Sequence, residues 1–233
     1  MVALSASRDS RKGLKMKKTV FPLIVILAIT SQTVGAQSRY IEGRNSAVGV
    51  DIEYGMDKDS WDIGAGVSYS QSGIMDITAG IRRADFDDGS FFSNGVSFGL
   101  AFFPLKQTPI NPLSFSLFAG MLFENFNSDA PASQSQNTMM FDFGIRVFHE
   151  FFVGPAFSFQ PSLGIVYVSS RVGLGDSIGG SMTGKDSFIG VEIDSALIFR
   201  VSPFGKLALT PSIDMNEHKT SCRVSAVYLF LLP

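Results

Sequence analysis

The chain has one cysteine, two histidines and one tryptophan in 233 residues. The lone thiol, Cys222, cannot close an internal disulfide, and so few His and Cys supply no metal-ligand spacing. Charged residues make up only 17% of the sequence, and they are unevenly spread: the first 36 residues hold six Lys/Arg and one Asp/Glu, leaving 13 basic and 20 acidic beyond, a net charge of −7. That balance argues against a nucleic-acid partner. The apolar run 20–29 is shorter than the roughly 20 residues a helical span needs, and no later segment comes nearer. Membrane residence therefore has to come from strands. Glycine and phenylalanine, at 23 and 22 residues, are plentiful, and 45% of the chain is hydrophobic.

The start of the chain reads as an address. After a polar leader, Lys15, Lys17 and Lys18 precede the apolar run, and Val34, Gly35 and Ala36 give a small-residue exit. These features predict a secretory signal over residues 1–36, with translation starting at Met1 or Met16 and cleavage between Ala36 and Gln37. Residues 37–233 are then the mature domain.

The stretch 187–202, SFIGVEIDSALIFRVS, shows the pattern of that domain most plainly. Alternate positions place Ile189, Val191, Ile193, Leu197, Phe199 and Val201 on one side and Gly190, Glu192, Asp194 and Arg200 on the other, which is the period of a strand. The same alternation predicts ten strands near 46–54, 60–69, 74–83, 93–103, 112–125, 138–150, 156–169, 187–202, 205–214 and 220–232. After a polar lead at 38–45 the connections fall into two classes. Short, Pro-marked turns lie near 70–73, 104–111, 151–155 and 203–204. Acidic, Gly- and Ser-rich loops lie near 55–59, 84–92, 126–137, 171–186 and 215–219. Short turns on one rim and longer loops on the other are the asymmetry of an all-β, transmembrane, up-and-down antiparallel barrel.

The two faces differ in a way that decides orientation. The large residues share one face, while Gly49, Gly64, Gly66, Gly80, Gly95, Gly144, Gly164 and Gly190 keep to the polar one. Mid-strand glycine on a solvated face weakens a strand, whereas inside a narrow barrel it relieves crowding. Tyr54, Trp61, Phe123 and Tyr167 are placed for an outer interfacial girdle, and Tyr69, Phe102, Phe199 and Phe230 for an inner one. The lumen is expected to hold Asp51, Glu53, Asp62, Asp76, Glu124, Asp142, Glu192 and Asp194 against Arg82, Arg146, Arg200, Lys206 and Arg223. Confined charges of both signs should pair and plug the interior.

Signal, alternating strands, turn asymmetry and the final strand SCRVSAVYLFLLP together resemble the small outer-membrane β-barrel proteins of diderm bacteria, the group that includes OmpA-like and OmpW-like barrels. The resemblance implies residence in the outer-membrane bilayer, recognition of the last strand by the barrel-assembly machinery, and a structural, adhesive or minor passive-pore role, with no cofactor. In that group the last strand often ends in an aromatic residue; here Leu231, Leu232 and Pro233 follow Phe230. Two alternatives make opposite demands. A soluble secreted barrel binding an apolar ligand would turn the large residues inward. A rim protease similar to the omptins would need Asp85, Asp87 and Asp88 to face Asp214 and His218 around a water. His149 beside Glu150 reads as a girdle or solvated histidine, and Cys222 as a small hydrophobe on the lipid face.

Overall fold

A computed structural model of the chain describes residues 37–41, 45–86, 91–128, 136–174, 182–217 and 219–232. The signal segment with Ala36, and also Asp87, Asp88 and His218, lie outside the described residues. A 3-10 helix at Gln37–Tyr40 precedes the strands β1 (Ser46–Met56), β2 (Ser60–Gln71), β3 (Met75–Phe86), β4 (Phe91–Leu105), β5 (Ser114–Ser128) and β6 (Gln136–Phe148). There follow a two-residue β7 (Phe151–Phe152), then β8 (Phe157–Leu174), β9 (Met182–Ser202), β10 (Gly205–Asn216) and β11 (Thr220–Leu232).

Each long strand pairs antiparallel with its neighbour in sequence, β6 pairs with β8, and β1 pairs with β11, which closes ten strands into a barrel. Closure leaves no open edge for another chain to join. All ten strands expected from the alternation are present. The inner turn after β6 adds the short β7, whose Phe151 and Phe152 pair with Phe159 and Ser158.

The register fixes the shape. From Ile52, the pairs through Ala65, Ile81, Val96, Phe123, Met139 and Arg171 arrive at Lys185 of β9. In the other direction, through Ala226 and Leu209, they arrive at Leu197, a stagger of twelve residues along the same strand. With ordinary strand spacings, that stagger over ten strands tilts them by about 40°. A row of paired residues therefore climbs toward one rim as it passes from β1 to β9.

The rim carrying Ser46 and Leu232 is called inner here, and the opposite one outer. On the inner rim the β2–β3 hairpin turns tightly: Ser72 and Gly73 have φ of 53° and 59°, and Ile74 N–H donates to Gln71 O at 2.9 Å. Two successive positive φ values are the type I′ arrangement, whose twist suits a hairpin. On the outer rim the ladders run past the expected strand ends. β8 and β9 pair as far as Gly173 and Met182, where a loop over 171–186 was expected, and β3 to β6 are likewise extended. The reason is that outward residues there are polar, so the apolar alternation stops while the hydrogen-bond ladder continues.

The large residues face outward. Ile52, Ile81, Phe143 and Ile189 are all at least 60% exposed, among many other Val, Ile, Leu and Phe side chains. Such a surface cannot face water and belongs in hydrocarbon. A soluble ligand-binding barrel would need the reverse.

Candidate functional site: the charged lumen

The interior is built from two kinds of local fit. Along β1 and β2, every inward carboxylate stands opposite a glycine: Asp51 against Gly66, Glu53 against Gly64, and Asp62 against Gly55. A Cβ on Gly64 would lie 2.9 Å from Glu53 Cγ, and one on Gly66 would lie 2.8 Å from both Asp51 carboxylate oxygens. The acids lie flat across the neighbouring backbone, in space that only glycine leaves open.

Farther round the wall the charges pair. Arg82 of β3 lies 3.2 Å from Asp62 of β2 and 3.0 Å from Glu124 of β5, and Ser93 donates to Glu124 at 3.3 Å. Arg146 of β6 donates to Glu192 of β9 at 2.5 Å and comes within 3.6 Å of Asp194. Arg223 of β11 sits 3.5 Å from Asp214 of β10. Asp62, Arg82, Glu124, Arg146, Glu192, Asp194 and Arg223 are all buried. Asp76, Asp142 and Lys206 are buried as well, and Asp51 and Glu53 are half-buried. Arg200 departs from the expected set. Its position faces inward by parity, but it lies at the inner end of β9, where the side chain is exposed at the rim.

The largest departure is the polar lead. The segment 37–41 does not trail from the barrel; Arg39, Tyr40 and Ile41 are buried inside it. Arg39 donates to both oxygens of Asp194, at 2.5 and 3.2 Å, and through Nε to Gln160 Oε1 at 3.0 Å. Gln160 returns a bond to Arg39 O at 3.0 Å. Lys206 Nζ donates to Tyr40 O at 2.8 Å, Lys106 Nζ to Ile41 O at 2.9 Å, and Tyr40 Oη shares a hydrogen bond with Thr210 at 3.0 Å. Tyr40 and Ile41 pack with Ala47, Ala196 and Ala208, each 0% exposed, and with Ile198, Val227 and Leu229. Small wall residues leave the room that the segment fills. Lys106, in the inner turn, is held down to about 8 by burial, against the pull of the Asp76 and Glu150 charges.

Three further interior groups are apolar. Ala101, Phe103, Phe118, Phe148, Val166, Val168 and Phe188 form one, Leu122 with Met140 a second, and Phe86 with Phe126 a third. The alternation could have located them, but in Phe-rich runs such as Phe102-Phe103 both faces read alike.

The girdle residues Tyr54, Trp61, Tyr69, Phe102, Phe199 and Phe230 are all exposed on the outer surface, and Phe123 and Tyr167 are half-exposed. Phe143 and Tyr167 pack with ring centroids 5.1 Å apart. Cys222 is exposed on the lipid-facing side. His149 contacts the Pro112 carbonyl through Nδ1 and packs against the Phe151 ring at 4.1 Å. The two described carboxylates of the rim-protease alternative do not converge: Asp85 points outward and accepts two bonds from Arg83 at 3.0 and 3.1 Å, while Asp214 points inward to Arg223. At the outer rim Lys219 bonds Asp57, tying the β10–β11 connection to the β1–β2 turn. Burial raises the Asp57 carboxyl, but the bonds from Lys219, Ser60 and the Asp59 N–H, with the Lys219 charge, outweigh it and hold it below the ordinary value. Burial lowers the Lys219 ammonium, opposed by Asp57.

No family model matches the chain, and no curated protein does. Solved structures do match in shape. The translocator domain of the autotransporter NalP from Neisseria meningitidis superposes with a TM-score of 0.55 at 10% identity, over 93% of this chain and 99% of that one. The attachment invasion locus protein Ail of Yersinia pestis aligns at 8% identity and a TM-score of 0.34, over 82% of this chain and 100% of that one. The outer-membrane protease OmpT from Escherichia coli aligns at 8% and 0.39, over 82% and 97%. Closed, antiparallel, ten-stranded and apolar on the outside, the chain has the fold of the bacterial outer-membrane β-barrels.

Proposed function

We propose that this protein is a sealed barrel of the bacterial outer membrane that acts structurally or adhesively through its outer rim, and not as an enzyme. The observation that supports a sealed lumen most directly is the seating of residues 39–41. One guanidinium, one phenol and three backbone carbonyls of that segment are bound by Asp194, Gln160, Thr210, Lys206 and Lys106. A signal cleaved after Ala36 would leave Gln37 as the mature N-terminus, so the chain's own first residues would be the stopper. The acidic excess of the lumen gives the pore alternative a definite form: with the stopper gone, any current should favour cations.

Planar-bilayer recording of the full chain tests this. The wild type is expected to show no steady conductance steps, and deletion of residues 38–45 to produce small, cation-preferring ones. Steady steps from the wild type would overturn the sealed reading in favour of a passive pore. Mass spectrometry of the protein from outer membranes should give Gln37 as its first residue.

A further inference from the structure

The exterior carries almost no charge, and what it carries is gathered in one zone. Among the described residues the strands turn only Arg83, Asp85, Arg171 and Lys185 outward, all near the outer rim. Every other charged residue of the described strands faces the lumen by parity, with Arg200 ending exposed at the inner rim. Asp85 is spent on Arg83, whose guanidinium also lies over the Phe92 ring, 4.8 Å from its centroid. Arg171 and Lys185 stand directly opposite each other on β8 and β9, and both are exposed. Like charges directly opposed on a sheet cost stability unless something of opposite sign lies between them. Among the described residues, no acid on this face does so.

Next to the cations the surface is built for chains of carbon. A hollow of about 870 Å³, lined mostly by outward-facing side chains, includes Ile81, Val96, Phe123 and Met139, and both Arg83 and Arg171 border it. Asn94, Asn125 and Asn137 also line it. These lie in one row with Arg83, one step farther toward the outer rim than the apolar row. Because the strands tilt, the apolar row climbs as it passes to β8, so that Arg171 and Lys185 stand above the hydrocarbon belt, at the height of lipid headgroups.

We propose that the outer-rim wall from β3 to β9 binds a phosphorylated, multiply acylated glycolipid of the outer leaflet. Arg171 and Lys185 take a phosphoryl group between them, Arg83 and the asparagine row meet the remaining headgroup, and acyl chains fill the hollow. Guanidinium suits phosphate because it offers paired donors in the geometry of two phosphate oxygens. The site is independent of the lumen, so it stands whether or not the barrel is sealed.

The test uses the full chain folded in a neutral detergent, with diphosphoryl lipid A as the probe and native mass spectrometry as the readout. Wild type should retain lipid A at least tenfold better than phosphatidylcholine, and the double variant Arg171→Ala/Lys185→Ala should lose at least tenfold of that retention. Without lipid, the same variant should be no less heat-resistant than the wild type in its unboiled gel band, since it removes a like-charge pair. Equal retention by variant and wild type would overturn the proposal, as would equal retention of phosphatidylcholine. Full displacement of lipid A by millimolar inorganic phosphate would also overturn it, by reducing the site to a free-anion site.

Discussion

Toward the outer rim, the lumen is filled by side chains of the wall itself: Arg82 from β3 reaches Asp62 on β2 and Glu124 on β5, and Leu122 packs on Met140. Toward the inner rim, on the side of β1 and β9 to β11, the wall supplies alanines, and the space is taken by Tyr40 and Ile41 from outside it. The first arrangement is fixed as soon as the strands pair. The second needs a separate segment to enter and be held by hydrogen bonds to its backbone, so it can be removed without dismantling the sheet. On the sealed-barrel proposal, the outer half of the lumen carries stability and the inner half carries closure.

The largest effect that would sharpen this contrast is expected at Arg82. Arg82→Ala leaves Asp62 and Glu124 buried beside each other without their shared cation, and removing one partner from a buried ion network costs about 3–5 kcal/mol. Urea unfolding in lipid vesicles, followed by tryptophan fluorescence, should show that loss. A change below 1 kcal/mol would mean that water reaches the outer half of the lumen.

Ala208→Phe comes next. It fills the place of the 39–41 segment from the wall side, and overpacking of a filled site costs about 1–3 kcal/mol. If the two halves differ as described, the variant still gives an unboiled, fast-running band, and a protease added from the inner side cuts it ahead of β1. A variant as resistant to cutting as the wild type would place the segment elsewhere.

The smallest effect lies at the outer rim, where Asp57 bonds Lys219. The folded carboxyl titrates below its unfolded value, so its contribution is present above the unfolded pKa and is lost as pH falls through the folded one. The pair sits at the rim and both residues are only half-buried as a whole, which limits it to about 1 kcal/mol. Asp57→Asn should therefore flatten the acid limb of stability slightly, between about pH 4 and the folded pKa, and leave neutral-pH conductance unchanged. An equally steep acid limb in the variant would move that loss to the lumen carboxylates.

Much of this was legible in the residues. Asp51-x-Glu53-x-Gly55 and Asp62-x-Gly64-x-Gly66 already place acids and glycines on one face, and pairing only had to set each acid against a glycine. The ends of β8 and β9 were not legible, because Arg171 and Lys185 break the apolar alternation while their backbones go on pairing. The outward arginine and lysine consequently read as loop. Nor was the seat of Arg39: five residues carry no period, and the partners that hold them are distant, Lys106 by 65 positions and Asp194, Gln160, Lys206 and Thr210 by more than a hundred. Arg200 shows the converse limit, since parity gives a side chain its direction but not its depth.

The sequence by itself determined the strands, their two faces and the sign of the lumen, because a period of two is a local property that each strand carries whole. Tertiary structure decided the stagger of twelve residues, which wall charges meet, and what fills the inner end. These depend on how far each strand slides past the next before the barrel closes, and no single strand contains that distance.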